Sequence, residues 1–329
     1  MAILVTGGGG FVGLNLVLAL LERGEEVILF DRGGLPPAAQ RALARHGRWL
    51  NVAQGDVRDP AQVNQVFESH RIEFIAHCAA VTSGAAREAR EPGTIAEINI
   101  KGTLNILEAA RTHGVKRVVY TSSGAVYGGS LYRPGRLYEE SPVLPLTLYA
   151  VTKFAAERVC ARIAELWQTD VVCARLGTVI GPWERDTGVR DSYGTHTQLA
   201  ALAVAGKTAV LTRREVRRDW IYSRDVAAGL MALLDARHPR HRVYNLSSGA
   251  EWVEPIRCWC EALQSTYPEF QYRVAAEGEP PNIWYTDKDR SIMDVGRIAQ
   301  DIGFTPRFSL EDAYADFIEW LKATPDFWQ

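Results

Sequence analysis

The residues best suited to chemistry are Tyr149 and Lys153, which are four positions apart in a segment, Leu148–Leu166, whose apolar spacing predicts a helix. Side chains four apart lie on the same helix face, so the phenol and the ammonium group face the same space. A phenol with a pKa of about 10 is a poor base at neutral pH, but a neighbouring positive charge favours its ionised form. The pair therefore predicts proton exchange with a substrate hydroxyl, with Tyr149 as the acid or base.

Two serines add a hydroxyl group to this pair. The spacing of tyrosine and lysine alone is common on ordinary helix faces, but Ser122 and Ser123 stand at the end of a predicted strand that begins at Arg117. The carboxyl ends of parallel strands line the ligand crevice of a doubly wound sheet. We therefore expect a serine hydroxyl to contact the same substrate oxygen as Tyr149.

A glycine-rich turn near the start of the chain predicts a dinucleotide site. Gly7, Gly10 and Gly13 lie between a predicted strand, Ala2–Thr6, and a predicted helix, Val12–Arg23. Glycines at this spacing allow a tight turn and a close approach of the backbone to a pyrophosphate. The pyrophosphate then faces the N-terminus of the helix, where backbone N–H groups favour an anion.

The end of the second predicted strand, Glu26–Asp31, indicates which dinucleotide binds. A carboxylate at Asp31 can accept hydrogen bonds from both hydroxyls of the adenosine ribose and repels a 2′-phosphate, which favours NAD over NADP. Arg32 follows directly and could instead bind a 2′-phosphate, so NADP stays the alternative. Asp56 and Val57 follow the third predicted strand and are placed to border the adenine.

Strands and helices alternate regularly through the first half of the chain, which predicts an α/β fold with a doubly wound parallel sheet of the Rossmann type. The predicted strands are Ala2–Thr6, Glu26–Asp31, Asn51–Gln54, Phe74–Cys78, Arg117–Ser122, Asp170–Leu176 and Arg242–Asn245. The predicted helices are Val12–Arg23, Pro60–Ser69, Pro92–Thr112, Leu148–Leu166, Leu199–Ala205, Asp225–Leu234 and Ser309–Lys322. The last of these has Ser309 as its N-cap.

The second half of the chain is less regular and predicts a smaller, mixed α/β substrate domain with no linker before it. We expect an NAD-binding domain over residues 1–176, to which elements of about 218–247 return, and a substrate domain built from 177–217 and 248–329. Two domains are also common for a chain of 329 residues.

Composition and charge argue against several classes of partner. A formal net charge of −2 gives no reason to expect nucleic acid or an anionic membrane, and no run reaches the roughly 18 apolar residues of a membrane span. The first residues lack the basic segment of a signal peptide, so a cytoplasmic protein is expected. The five cysteines lack the spacing of a zinc site, and no metal is expected.

A series of further motifs extends from residue 1 to about residue 321. These motifs are Gly7/Gly10/Gly13, Asp31, Asp56, His77-Cys-Ala-Ala80, Asn99-x-x-Gly102-Thr103, Thr121-Ser-Ser-Gly-Ala-Val-Tyr-Gly128, Tyr149/Lys153 and Arg218-Asp-Trp-Ile-Tyr-Ser-Arg-Asp225. In this combination the chain resembles the extended short-chain dehydrogenase/reductase superfamily and, more narrowly, its NAD-dependent epimerase/dehydratase branch.

The resemblance implies a role for each of these motifs. Tyr149 is then the acid/base, Lys153 its partner and Ser123 the third hydroxyl group of the catalytic set. It also implies NAD on the glycine turn and, commonly, a homodimer packed through helices. The cofactor-binding residues expected from the motifs are Gly7, Gly10, Phe11, Val12, Gly13, Asp31, Arg32, Asp56, Val57, Ala79, Ala80, Asn99, Tyr149 and Lys153.

This chain departs from the branch at two places, and these departures limit the reactions and substrates to be expected. At positions 124 and 125 this chain has Gly124 and Ala125, which cannot transfer protons. The 4,6-dehydratases of the branch carry Asp-Glu at these two positions, and its sugar-acid decarboxylases carry a Glu at the second. Elimination and decarboxylation by those routes are therefore disfavoured. Its nucleotide-sugar 4-epimerases commonly place an Asn that helps hold the diphosphate where this chain has Thr178, which argues against a nucleotide diphosphate.

The arginines of the second half indicate an anionic substrate. Arg218 lies in a dense arginine run and matches a position of the branch that often contacts a substrate phosphate, and a guanidinium group binds oxyanions in bidentate fashion. The alternative makes Arg218 a structural partner of Asp219 or Asp225. The expected substrate-binding residues are Ser123, Thr178, Arg218 and Arg290.

These observations favour an NAD-dependent epimerase of a sugar or nucleotide sugar that acts through a transient keto intermediate. The alternative is an NAD-dependent dehydrogenase of a smaller sugar, polyol or sugar acid, which Thr178 supports. A non-catalytic NAD(H)-binding regulator is disfavoured, because such proteins often lose one member of the set formed here by Ser123, Tyr149 and Lys153.

Overall fold

The computed structural model describes residues 2–191, 193–215, 217–286 and 288–328, in which strands and helices alternate from the first strand onward. The strands are β1 (Ala2–Thr6), β2 (Glu26–Asp31), β3 (Leu50–Gln54), β4 (Phe74–His77), β5 (Arg117–Ser123), β6 (Arg136–Leu137), β7 (Val171–Leu176), β8 (Thr178–Ile180), β9 (Thr208–Leu211), β10 (Trp220–Tyr222), β11 (Val243–Leu246), β12 (Gln271–Val274) and β13 (Ile292–Met293). The helices are α1 (Phe11–Glu22), α2 (Pro37–Ala44), α3 (Pro60–Ser69), α4 (Ala85–Arg90), α5 (Pro92–Ala96), α6 (Gly102–Thr112), α7 (Leu148–Trp167), α8 (Thr195–Val204), α9 (Ser223–Asp235), α10 (Pro255–Thr266), α11 (Gly296–Ile302) and α12 (Leu310–Ala323).

Seven strands form one parallel sheet in the order β11-β7-β5-β4-β1-β2-β3. β1 and β7 are buried along their whole length, as expected when helices cover both faces of a parallel sheet. The chain moves outward from β1 first on one side and then on the other, so the strand order reverses between β1 and β4. Ligands of open α/β sheets bind at such a switch point, outside the carboxyl ends of the strands.

The α/β fold with a doubly wound parallel sheet is therefore confirmed. All seven strands predicted from the sequence are present in this sheet to within one residue at either end. The predicted helix Pro92–Thr112 is also present, but residues Glu97–Lys101 form a π turn between α5 and α6. Helices α2, α4, α10 and α11 were not predicted.

The remaining strands form two-stranded sheets, which pair β8 with β10, β9 with β12 and β6 with β13. Helices α8, α10 and α12 pack together beside them, and the ring of Trp259 stacks on Phe317 with centroids 4.9 Å apart. The predicted N-cap of α12 is confirmed, since the Oγ of Ser309 accepts a hydrogen bond from the backbone N–H of Asp312 at 3.1 Å.

One apolar core joins this part of the molecule to the main sheet. Ile3 of β1 and Phe317 of α12 belong to the same cluster of buried side chains. The division into residues 1–176 with a return over 218–247, and 177–217 with 248–329, stays a proposal. Within the described residues, no helix is both long and apolar enough to cross a bilayer.

Candidate active site

The turn after β1 is closed by contacts that only glycine permits. Gly7 has a φ of +65°, and a Cβ atom built on it would lie 2.7 Å from the Cα of Ala79. A Cβ atom on Gly13 would lie 2.1 Å from the carbonyl oxygen of Gly7, so the first turn of α1 packs directly on the loop. No described side chain caps α1 at Gly10, and the first N–H groups of the helix are available to an anion.

We expect Gly13→Ala to lower the free energy of unfolding by about 1–3 kcal/mol, because its Cβ would overlap backbone and not a flexible side chain. Denaturant titration measures this loss. Gly93→Ala, on α5, is the matched control, since a Cβ there meets no atom within 4 Å. Equal stability of Gly13→Ala and the unmodified protein would contradict the packing described for Gly13.

Two cavities meet at the glycine turn. The first has a volume of about 520 Å³ and lies at the ends of β1, β2 and β3, lined by the predicted residues Gly7, Gly10, Asp31, Arg32, Asp56, Val57, Ala79 and Ala80. The second has a volume of about 490 Å³ and extends over the ends of β4, β5 and β7, lined by the predicted residues Phe11, Val12, Gly13, Ser123, Tyr149, Lys153, Thr178, Arg218 and Arg290. The residues predicted from separate motifs are thus brought together along one continuous crevice.

Asp31 is held firmly at the mouth of the first cavity. Its Oδ2 accepts a hydrogen bond from the N–H of Gly9 and its Oδ1 one from the N–H of Gly33, both at 2.9 Å. Arg32 is exposed at the same edge. Asp56 is committed to Arg58, whose guanidinium lies 2.7 Å from its carboxylate and lowers its pKa.

Asn99 lines neither of the two cavities, and its direct contact with the cofactor stays a proposal. Its Oδ1 accepts a hydrogen bond from the N–H of Val81 at 2.8 Å, and its Nδ2 donates to Val81 O and to the Oγ1 of Thr152. The side chain is buried, and the π turn that contains it aims it at these partners. Asn99 therefore positions the loop after β4 against α7.

Lys153 lies at the bottom of the second cavity. Its Nζ donates a hydrogen bond to the carbonyl oxygen of Thr121 at 2.5 Å and stands 4.6 Å from the ring centroid of Tyr120. Burial lowers the pKa of Lys153 to about 8. The ammonium group is thus held by β5, where a proton can leave it at mildly alkaline pH.

The phenol of Tyr149 has a different electrostatic environment from the one its spacing suggested. Burial raises its pKa, whereas hydrogen bonds with Ser123 and Thr82 and the positive charge of Arg190 work in the opposite direction. The spacing of the two residues suggested that the charge of Lys153 would lower the pKa of Tyr149, but Lys153 is not among the groups that shift it. Ser123 is fixed at the end of β5, where its Oγ accepts a hydrogen bond from the N–H of Ala125 at 3.1 Å.

Arg218 is a buried cation that the described residues leave without an ion-pair partner. Only 6% of its surface is exposed, and its Nε lacks a hydrogen-bond acceptor among the described residues. Burial, followed by the charge of Arg290, lowers its pKa to about 9. A buried charge without a partner is costly, and an oxyanion entering the cavity would relieve that cost.

Neither of the two suggested structural partners, Asp219 and Asp225, forms an ion pair with Arg218 among the described residues. The carboxylate of Asp225 accepts hydrogen bonds from the N–H groups of Arg307 and Phe308 at 2.9 and 3.1 Å. Asp219 is buried, and burial raises its pKa to about 7. The ion pairs found among the described residues include none between Arg218 and either carboxylate. The remaining arginines of the run face solvent, as Arg214 does beside Asp289.

Gly124 and Thr178 shape the wall next to the catalytic residues. A Cβ atom on Gly124 would lie 2.8 Å from the Sδ of Met293 and 3.2 Å from the carbonyl oxygen of Leu176, so a larger side chain there would have to displace Met293. Thr178 is held by its backbone, whose N–H donates to the carbonyl oxygen of Asp219 at 2.7 Å. The glycine at position 124 thus packs closely against Met293 and β7.

The crevice residues that were not predicted include three polar ones: Thr82, Arg185 and Arg190. Thr82 follows β4, and the two arginines belong to the irregular segment after β8. Loops of this kind have no hydrophobic period from which their path can be inferred, so no sequence signal pointed to them.

Comparisons with known proteins agree with this geometry. The model of the NAD dependent epimerase/dehydratase family matches residues 3–247. A UDP-glucose 4-epimerase of Halalkalibacterium halodurans is 34% identical over 55% of this chain and 52% of its own length, and that of Bos taurus is 27% identical over 98% and 97%. The solved structure of Thermus thermophilus UDP-glucose 4-epimerase in complex with NAD has a TM-score of 0.77 at 26% identity, covering 98% of this chain and 99% of that one.

Proposed function

Because this chain belongs to the NAD-dependent epimerase/dehydratase family, we propose that it binds NAD and inverts a hydroxyl-bearing carbon of a nucleotide sugar through a transient keto intermediate. The observation that carries the proposal is that Ser123, Tyr149 and Lys153 share one cavity with the buried guanidinium group of Arg218 and the partly buried Arg290. The first three can exchange a proton with a hydroxyl group. The two arginines can hold a phosphate at a distance from the reacting carbon.

The crevice fits NAD in its shape and its donors. The glycine turn and the open N-terminus of α1 suit a pyrophosphate, the carboxylate of Asp31 suits a ribose diol, and Lys153 can bind the nicotinamide ribose. The solved Thermus thermophilus relative is in complex with NAD, which supports the same assignment here. Bound NAD supplies the acceptor, and afterwards the donor, of a hydride.

Side chains of the second cavity transfer the proton of the substrate hydroxyl group. Tyr149 takes the proton of the substrate hydroxyl as the carbon loses its hydride, and Ser123 holds the same oxygen by a hydrogen bond. The ketone would then turn its other face to the site expected for the nicotinamide, and Tyr149 would return the proton to the same oxygen. The hydrogen bonds with Ser123 and Thr82 and the positive charge of Arg190 favour the phenolate during the first step. No net oxidation results from the cycle.

The nucleotide part of the substrate rests on the relatives and on the arginines. The full-length relatives include UDP-glucose 4-epimerases, and a nucleotide diphosphate would supply an anion that Arg218 and Arg290 do not find among the described residues. Thr178 is the observation that favours the second candidate, a dehydrogenase of a smaller sugar, polyol or sugar acid.

The test is to incubate the purified protein with UDP-sugars and to follow sugar configuration by NMR and NADH by absorbance. An epimerase gives the epimer without net NADH and keeps its NAD through gel filtration. Stoichiometric release of NADH would show a dehydrogenase and overturn the proposal. NAD binding without turnover of any sugar would show a regulator.

We expect NAD to bind at least about tenfold more tightly than NADP. The reason is that Gly9 and Gly33 hold the carboxylate of Asp31 in place, so that it cannot turn away from a 2′-phosphate. Titration of both cofactors into stripped protein measures the ratio, and Asp31→Asn should reduce it. Equal or tighter binding of NADP would mean that Arg32 determines the preference.

The family resemblance also implies a homodimer packed through helices, which we include in the proposal together with a cytoplasmic location. Helix α7 carries two exposed apolar side chains, Val151 and Leu166, which such an interface would cover. The same helix carries Tyr149 and Lys153, so packing between subunits would also steady the catalytic residues.

A further inference from the structure

The segment from Trp183 to Asp191, here called the strap, crosses the dinucleotide crevice. On one side it is tied to the loop after β4, where the N–H of Thr82 donates to the carbonyl oxygen of Val189 at 2.9 Å. The carboxylate of Asp191 accepts a hydrogen bond from the N–H of Gly84 at 2.8 Å. This end of the strap therefore continues the wall formed by the β4 loop.

On the other side, Arg185 ties the strap to the glycine turn. Its Nη1 donates to the carbonyl oxygen of Gly9 at 2.7 Å, and its Nη2 donates to that of Gly34 at 3.3 Å. Both walls of the crevice are thus joined by one short stretch of chain that closes over the space between them.

The position of Arg185 along the crevice identifies what it faces. The first cavity suits the adenosine half of the cofactor and the second contains the residues that act beside the nicotinamide half. A dinucleotide has its pyrophosphate between the two halves. Arg185 lines both cavities and is the one charged residue of the described chain that does so.

The charge of Arg185 is also only partly compensated in the structure. The ion pairs found among the described residues do not include it, and its two acceptors are neutral carbonyl groups. Burial lowers its pKa, although the carboxylate of Asp31 opposes this effect. A partly desolvated guanidinium group beside the N-terminus of α1 is complementary to an oxyanion with two negative charges.

We propose that Arg185 binds the pyrophosphate of the dinucleotide and that the strap thereby holds the cofactor in the crevice. This inference rests on the proposed function, since it requires NAD in these cavities. It adds a ligand that comes from outside the glycine turn and closes over the cofactor. The cofactor can then leave only when the strap detaches from Gly9 and Gly34, which suits an enzyme that must return the hydride to the same substrate molecule.

The test compares Arg185→Met, Arg185→Lys and the unmodified protein, each stripped of cofactor, by calorimetric titration with NAD, ADP-ribose and adenosine. ADP-ribose keeps the pyrophosphate and lacks nicotinamide, whereas adenosine has no phosphate. We expect Arg185→Met to raise the Kd of NAD and ADP-ribose at least about tenfold, with little change for adenosine. Lysine keeps the charge without the bidentate geometry, so Arg185→Lys should lie between the two. Arg45→Met, at an exposed arginine paired with Glu22, is the matched control.

The outcomes separate this inference from the proposed function. Unchanged Kd values in Arg185→Met would overturn the inference while leaving NAD binding intact. An equal loss of affinity for adenosine would also overturn it, because Arg185 would then only tie the strap to Gly9 and Gly34. Failure of the unmodified protein to bind NAD would overturn the proposed function, and the inference with it. A faster release of NAD from Arg185→Met in stopped-flow displacement would support the strap as the element that retains the cofactor.

Discussion

Replacement of Tyr149 by phenylalanine is expected to lower kcat at least about a hundredfold, because a positioned acid–base group contributes roughly that much to a rate. The change removes one oxygen atom from the second cavity and leaves the aromatic ring, so the packing of α7 should be preserved. NAD binding should change little, since the phenol is directed at Ser123 and Thr82 and not at the glycine turn. Steady-state turnover of the epimerised sugar, with cofactor titration on the same samples, measures both quantities.

The matched control for this variant is Tyr138→Phe. Tyr138 is half exposed and lies outside the second cavity, so its phenol can be removed without a direct effect on the reacting carbon. Near-normal kcat in Tyr149→Phe would show that another group transfers the proton. A comparable loss in both variants would show that the assay responds to stability and not to the phenol.

Replacement of Arg218 by alanine is expected to lower kcat/KM for an anionic substrate by about a hundredfold or more. The loss corresponds to the few kcal/mol by which truncating one partner of a buried charge pair weakens binding. Arg218→Lys should be impaired less, because lysine keeps the charge and loses the bidentate geometry. Part of the loss should appear in kcat, since binding energy remote from the reacting carbon also orients that carbon.

Stability measurements decide whether Arg218 acts on the substrate or on the fold. Because the structure shows no ion pair from Arg218 to Asp219 or Asp225 among the described residues, Arg218→Ala should have a Tm close to that of the unmodified protein. Arg214→Ala is the control, as Arg214 is exposed and pairs with Asp289 outside the cavity. A variant that melts early but keeps its kcat/KM at low temperature would refute the anion site at Arg218.

Much of the fold could be predicted because its elements carry strong local signals. Strands that are buried on both faces have continuous apolar sequences such as Val171–Leu176. In the helices between them, apolar side chains recur with the helical period of 3.6 residues. The glycine turn could be recognised because backbone contacts such as that of Gly13 with Gly7 leave no space for a Cβ atom. The pairing of Tyr149 with Lys153 could be recognised because both lie on one helix face.

Other parts of the site could not be predicted, because they depend on where distant segments meet. The residue type of Asn99 does not show in which direction its side chain points. The π turn that contains it directs the side chain to Val81 and Thr152. The environment of Tyr149 likewise depends on the approach of Thr82 and Arg190 from two loops.

The sequence by itself determined the seven strands of the main sheet, the glycine turn, and the identity of the groups that can exchange a proton. These features depend on side chains that are close in the chain, so their spacing is enough to define them. Only the tertiary structure decided which charges are left without partners, because that depends on contacts between segments far apart in sequence. It buried Arg218 without an ion pair to any described residue and brought Arg185 across the crevice to Gly9. The physical reason is that the cost of burying a charge is set by the whole of its surroundings, which the fold assembles and the local sequence does not contain.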